Sequence, residues 1–186
     1  MGGFIPNCQA QTFVELAKQE KQMNIFVLHQ SAPLAAKMHC DKHVVKMTLE
    51  TAQILATVHH IHGNGANVTY KPTHQNHPCV QWAAASLGNY RWLLTLGQYL
   101  AREYKLRYGK YHACTELFSG ELSDAPPALN KSPSVPFALC MPDECKTDDA
   151  VESYRNYYRH KLDTTDWMSW DRAGGAPFWL NHPEFA

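Results

Sequence analysis

In the stretch MHCDKHVVKMTLETAQIL, five side chains with usable chemistry recur at helical spacing: His39, His43, Lys46, Glu50 and Gln53. At about 100° per residue, steps of four, three, four and three put them on one line along a helix. Apolar walls flank that line, with Cys40, Met47 and Ile54 on one side and Met38, Val45 and Leu49 on the other. An ordinary solvated face is broad and rich in Lys and Glu. A narrow, walled stripe instead predicts an inward cleft floored by titratable groups. Lys37, Asp41, Thr48 and His59 form a second polar line roughly opposite, which reads as the solvent face. The plain alternative is a structural hydrogen-bond network containing a commonplace i,i+4 lysine–glutamate pair.

The stripe also allows a metal reading. Two histidines four apart can hold one ion, as in H-E-x-x-H, although H-C-D-K-H lacks that motif's glutamate. A third ligand would come from the loop THQNHPC, from His74, His77 or Cys79; the set carried forward is His39, His43 and His77. Otherwise no cofactor is expected.

The elements that must hold these groups are helical. Ser31 and Pro33 open a helix that runs from Leu34 to about His60 and stops at HGNGAN. A second long helix begins near Pro78 and ends at Gly109. Residues 119–146, rich in Pro, Ser and Asp, read as irregular. Thr147, Asp148 and Asp149 cap a third helix, AVESYRNYYRHKL, acidic at its start and basic at its end as the helix dipole favours. The aromatic tail WMSWDRAGGAPFWLNHPEF packs across the helices. The fold class is mainly α: a single compact helical domain with two long helices, a third C-terminal helix and irregular loops. Residues 1–22 read as an N-terminal extension, and residues 23–186 as the domain, which starts at MNIFVL.

Around the second and third helices, rings sit beside cations. Trp82, Asn89, Tyr90 and Arg91 come near the start of the second helix, Arg102 and Lys105 near its end, and Arg155 and Arg159 within YRNYYRHK. Such mixtures suit stacked bases and phosphates, although core packing is the favoured reading for most of these positions.

Composition limits the alternatives. With 186 residues the chain can bury one substantial core. No apolar run approaches the ~18 residues of a membrane span, and no secretory signal opens the chain. Seventeen basic and seventeen acidic side chains cancel, which weakens any case for strong nonspecific nucleic-acid binding. Cys8, Cys40, Cys79, Cys114, Cys140 and Cys145 are scattered without a C-x-x-C pair, and read as reduced thiols in a cytoplasmic setting.

HCDKHVVKM, THQNHPCVQWAAASLGNYRWL, REYKLRYGKYH and PFALCMPDECK together resemble a family of bacteriophage and environmental-bacterial proteins, over about residues 23–179. That likeness brings little functional knowledge and would put the protein in the host cytoplasm if it is phage-encoded. More distantly, the layout is similar to the phage-type pyrimidine dimer DNA glycosylases of the endonuclease V type. The matching parts are NIFVL, the helix from His39 to Lys46, NHPCVQW and YRNYYRHK. This resemblance implies an N-terminal amine that attacks a sugar carbon to form a Schiff base, assisted by a glutamate on the first helix. Here 22 residues precede Met23, Lys46 or Val45 stands about where that glutamate would fall, and Glu50 lies one turn later.

The leading expectation is therefore an enzyme acting on DNA or a nucleotide base, like a DNA glycosylase/AP lyase. Its catalytic set is Glu50 as general base or stabiliser of a sugar cation, His39 and His43 orienting water or phosphate, and Lys46 as an amine nucleophile if desolvated. Arg91, Arg102 and Lys105 would hold phosphates, and Trp82 or Tyr90 would stack on a displaced base. Two alternatives stay open: a noncatalytic phage interaction or nucleic-acid-binding protein, and a metal-dependent hydrolase. The oligomeric state is left open as well.

Overall fold

The computed structural model describes residues 23–181, which hold six α-helices and no strand; residues 1–22, expected to be an extension, lie outside the described residues. The fold is mainly α. No described helix is long and apolar enough to cross a membrane.

Two helices form the first half: α1 (Ala32–Met38) and α2 (Asp41–Ile61). The expected continuous helix is broken at His39 and Cys40, whose backbones are extended. Outside partners take the groups exposed by the break. Arg107 Nη1 donates to His39 O at 2.7 Å, Trp170 Nε1 donates to Met38 O at 3.0 Å, and Asp41 N donates to Ser169 O at 2.8 Å. Orphan groups at helix ends need such partners, and these come from residues more than sixty positions away. Local periodicity cannot reveal them.

The second expected helix is also two: α3 (Pro78–Ala85) and α4 (Leu87–Tyr108). Ser86 is extended between them, its hydroxyl accepts from Asn89 N, and Leu87 N donates to Asn130 O at 2.7 Å. Gly109 closes α4 in the left-handed conformation, as its position predicts. α5 (Ala150–Thr164) begins where Asp149 accepts from Glu152 N, and α6 (Phe178–Asn181) ends the described chain.

Helices α2 and α4 pack along each other, with α1 against α4 and α3 against both. Gly97 permits that approach: a Cβ there would lie 2.4 Å from Phe118 Cε1 and 2.8 Å from Thr51 Cγ2. The extended segment 23–28 is buried throughout among these helices. Phe26 turns it sharply at φ +35°, with Leu28 N donating to Phe26 O at 3.0 Å. A bulky residue in that region is strained, and the turn aims its ring at His43, with centroids 4.5 Å apart.

The two polar lines on α2 are distributed differently from the expectation. Of the line read as the solvent face, Lys37 is exposed but Asp41, Thr48 and His59 are buried, whereas the supposed wall residues Val45 and Leu49 are exposed. Each of these three buried groups finds a partner. Asp41 pairs with Arg107 at 3.2 Å, Thr48 bonds back to Val44 O at 2.6 Å, and His59 Nε2 meets Tyr90 OH at 2.9 Å. Buried polar groups with partners carry little penalty, so polarity alone misjudged which side of α2 faces α4.

Candidate functional site

Glu50 sits where α2 passes the start of the domain. Its Oε2 accepts the backbone N–H of Asn24 at 3.1 Å, and its Oε1 lies 3.4 Å from Lys46 Nζ. The Glu50 side chain is 12% exposed and that of Lys46 is 41% exposed. Burial raises the Glu50 carboxyl from its ordinary pKa, against the opposing pull of Lys46 and the Asn24 N–H. A carboxylate touching an ammonium, both reachable from solvent, is equipped to move a proton to or from an amine.

Asn24 is held from its other side too. Its Nδ2 donates to Cys140 O at 2.7 Å, and its Oδ1 accepts from Ile25 N at 2.8 Å. The first segment thereby links α2 to the irregular stretch around Cys140. Sequence reasoning missed Asn24; its place directly after the apparent domain start Met23 was the available signal.

The two stripe histidines have a different setting. His39 lies in the break between α1 and α2, off the helix line, fully buried, with Nδ1 donating to Ala35 O at 2.7 Å. His43 is buried against Phe26, with Nδ1 at 2.6 Å from Tyr158 OH and its ring 5.2 Å from Trp167. Burial drives the pKa of His39 down to about 4 and that of His43 well below its ordinary value. Both rings are neutral at pH 7. They make a packed floor beneath the segment 23–28, while Lys46 and Glu50 face outward beyond it.

His77 does not join them. It caps α3, accepting from Cys79 N at 3.2 Å, and lies with Cys79 and Cys140. The expected set of His39, His43 and His77 is therefore divided between two places in the fold, because the loop carrying His77 packs against residues 139–142 rather than over His39.

Among the residues expected to touch nucleic acid, Trp82, Asn89 and Tyr90 are buried. Asn89 bonds Trp82 O at 2.6 Å and Val135 N at 3.0 Å, and Tyr90 donates to Leu122 O at 2.8 Å. They hold the helices to the irregular segment and offer no stacking platform. Arg155 donates to Leu28 O at 3.2 Å, and Arg159 to Trp179 O at 3.0 Å and Glu152 at 2.7 Å. Both guanidiniums lie over the Trp179 ring. Arg91 and Arg102 remain exposed on α4, with Lys105 half-buried and over the Tyr111 ring at 4.2 Å.

Arg107, counted only as one more positive charge in the sequence, is buried and central. It donates to Lys37 O and His39 O and pairs with Asp41 and Glu103.

Comparison with known families gives a match. Residues 23–117 match the family described as pyrimidine dimer DNA glycosylase. The chain belongs to that family. Its match begins with the segment that presents Asn24 to Glu50 and spans α1 to α4, and so includes Lys46, Glu50, His77 and Cys79 but neither Cys140 nor α5. Membership supports a DNA glycosylase-like function in general. No curated protein and no solved structure matches the chain.

Proposed function

We propose that the protein removes a base from DNA by glycosylase/lyase chemistry centred on Glu50 and Lys46. The observation that carries this reading is the Glu50 carboxylate, held at once by Lys46 Nζ and by the backbone N–H that starts the first segment. Lys46 is too exposed for desolvation to activate it, so the Glu50 carboxylate takes the ammonium proton and leaves a nucleophilic amine. The amine nitrogen bonds to the sugar carbon while the N-glycosidic bond breaks, and the base departs with that bond's electron pair and a proton. The nitrogen lone pair then opens the sugar ring, breaking C1′–O4′ as O4′ takes a proton, which gives an iminium. Loss of a C2′ proton expels the 3′ phosphate and cleaves the strand, and water later hydrolyses the iminium. An amine and a carboxylate complete this step with the substrate alone. Arg91, Arg102 and Lys105 are the cations on α4 proposed to hold phosphates, and DNA is the proposed partner.

Incubation with ultraviolet-irradiated duplex and with abasic duplex, in the presence of borohydride, tests the reading. The expected result is strand cleavage and a trapped covalent adduct, both lost in K46A. Absence of adduct and cleavage on both substrates would remove it.

A further inference from the structure

A second cluster of reactive groups lies on the other side of Asn24. One nitrogen of His77 and the Sγ atoms of Cys79 and Cys140 all lie within 4.8 Å of one another. The two sulfurs are 3.3 Å apart and both cysteines are free thiols. Cys79 is buried, whereas His77 and Cys140 are half-buried and line a cavity of about 360 Å³ with Pro78, Leu139, Met141 and Tyr157.

The backbone under these groups is fixed on both sides. Cys79 is in the first turn of α3, behind Pro78 and the capping His77. The Cys140 stretch is tied by Tyr154 OH donating to Ala138 O at 2.7 Å and by Asn24 Nδ2 donating to Cys140 O at 2.7 Å. Sixty-one residues separate the two cysteines, so their meeting is a product of the fold.

We propose that His77, Cys79 and Cys140 form a zinc site whose fourth position opens into the adjoining cavity. Two thiols and an imidazole are soft and borderline donors, matched to zinc and poorly suited to magnesium or calcium. In a tetrahedral site with Zn–S near 2.3 Å, two sulfurs stand about 3.8 Å apart; opening the present 3.3 Å pair by about half an ångström reaches that. Cys79 donates its S–H to Cys140, and zinc binding would release both thiol protons. If the metal is taken by His77 Nδ1, it displaces only the 3.2 Å contact with Cys79 N. Through Asn24 the ion would brace the segment that seats Glu50, but its binding does not depend on the glycosylase reading.

The test uses the full chain expressed with zinc supplementation, dialysed against metal-free buffer and measured by elemental analysis. The expected content is about one zinc per chain, falling at least tenfold in C140S and H77A while H74A and E50Q keep it. Cobalt loaded into the same protein is expected to give the thiolate charge-transfer bands of a tetrahedral site, which C140S loses. Circular dichroism of C140S, a half-exposed position, verifies that the fold persists. Zinc well below stoichiometry in the unaltered chain, or retained in C140S, overturns the proposal. So does recovery of a Cys79–Cys140 disulfide with no zinc uptake after reduction, which would make the pair a redox couple.

Discussion

The backbone N–H of Asn24 donates to Oε2 of Glu50 at 3.1 Å across 26 residues of sequence. It fixes one carboxylate oxygen and leaves the other to Lys46, so Glu50 acts as a positioned base only when ionised. Burial raises its pKa from the ordinary value. The acid limb of the pH–rate profile is therefore expected above the ~4.3 of an ordinary glutamate. In E50Q the rate should drop on the order of a hundredfold and that limb should vanish. A limb that survives E50Q would assign the titration to another group.

Stability should fall in mild acid. The folded-state pKa of His39 is depressed from 6.5 to about 4, and that of His43 lies well below its ordinary value. Below pH 6.5 the unfolded chain takes up protons that the buried rings refuse, so stability is full above 6.5 and declines as pH drops. For His39 the loss is complete near pH 4 and amounts to about 3 kcal/mol. Urea unfolding at pH 7.5 and pH 4.5 measures it. In H39N, whose amide can still donate to Ala35 O, the pH slope is expected to be shallower.

Arg107 carries a different kind of stability. Its buried guanidinium meets two carboxylates and two carbonyls, and one of those carbonyls belongs to the break between α1 and α2. R107M is expected to destabilise the fold by about 3–5 kcal/mol, since Asp41 is left buried without its cation. R107M/D41N should recover part of that loss. Denaturant unfolding of the single and double variants checks both statements, and additive losses would show that the pair is uncoupled.

How much of this was legible follows from where each constraint acts. The helical class, the Gly109 stop and the Asp149 cap are local and were read correctly from periodicity and capping residues. The breaks at His39–Cys40 and Ser86 were not, because Arg107, Trp170 and Asn130 create them from a distance. The stripe on α2 places Lys46 beside Glu50, as an i,i+4 spacing implies, and the two share an ion pair. It failed to separate them from His39 and His43, whose burial depends on Phe26, Tyr158 and the aromatic tail. Trp82 and Tyr90 illustrate the same limit, since a ring beside a cation looks alike whether it packs inward or waits for a base.

The geometry at Asn24 also separates the amine from the residue that supplies it. In the full chain Asn24 N is an amide, bonded to Met23 and unable to act as a nucleophile, so the amine on Glu50 is Lys46 Nζ at 3.4 Å. A chain made to begin at Asn24, released from a cleavable fusion, would carry a free α-amine at the point where the amide now touches Oε2. If Glu50 selects whichever amine lies on its carboxylate, K46A in the full chain gives no borohydride adduct with abasic duplex. K46A beginning at Asn24 then regains the adduct, with the modified nitrogen mapped by mass spectrometry to Asn24. Adding E50Q should suppress both routes, because either amine needs the carboxylate to shed its proton. An adduct in the full-length K46A chain would mean that neither of these nitrogens is the attacking amine, and that the Glu50 contact serves the fold alone.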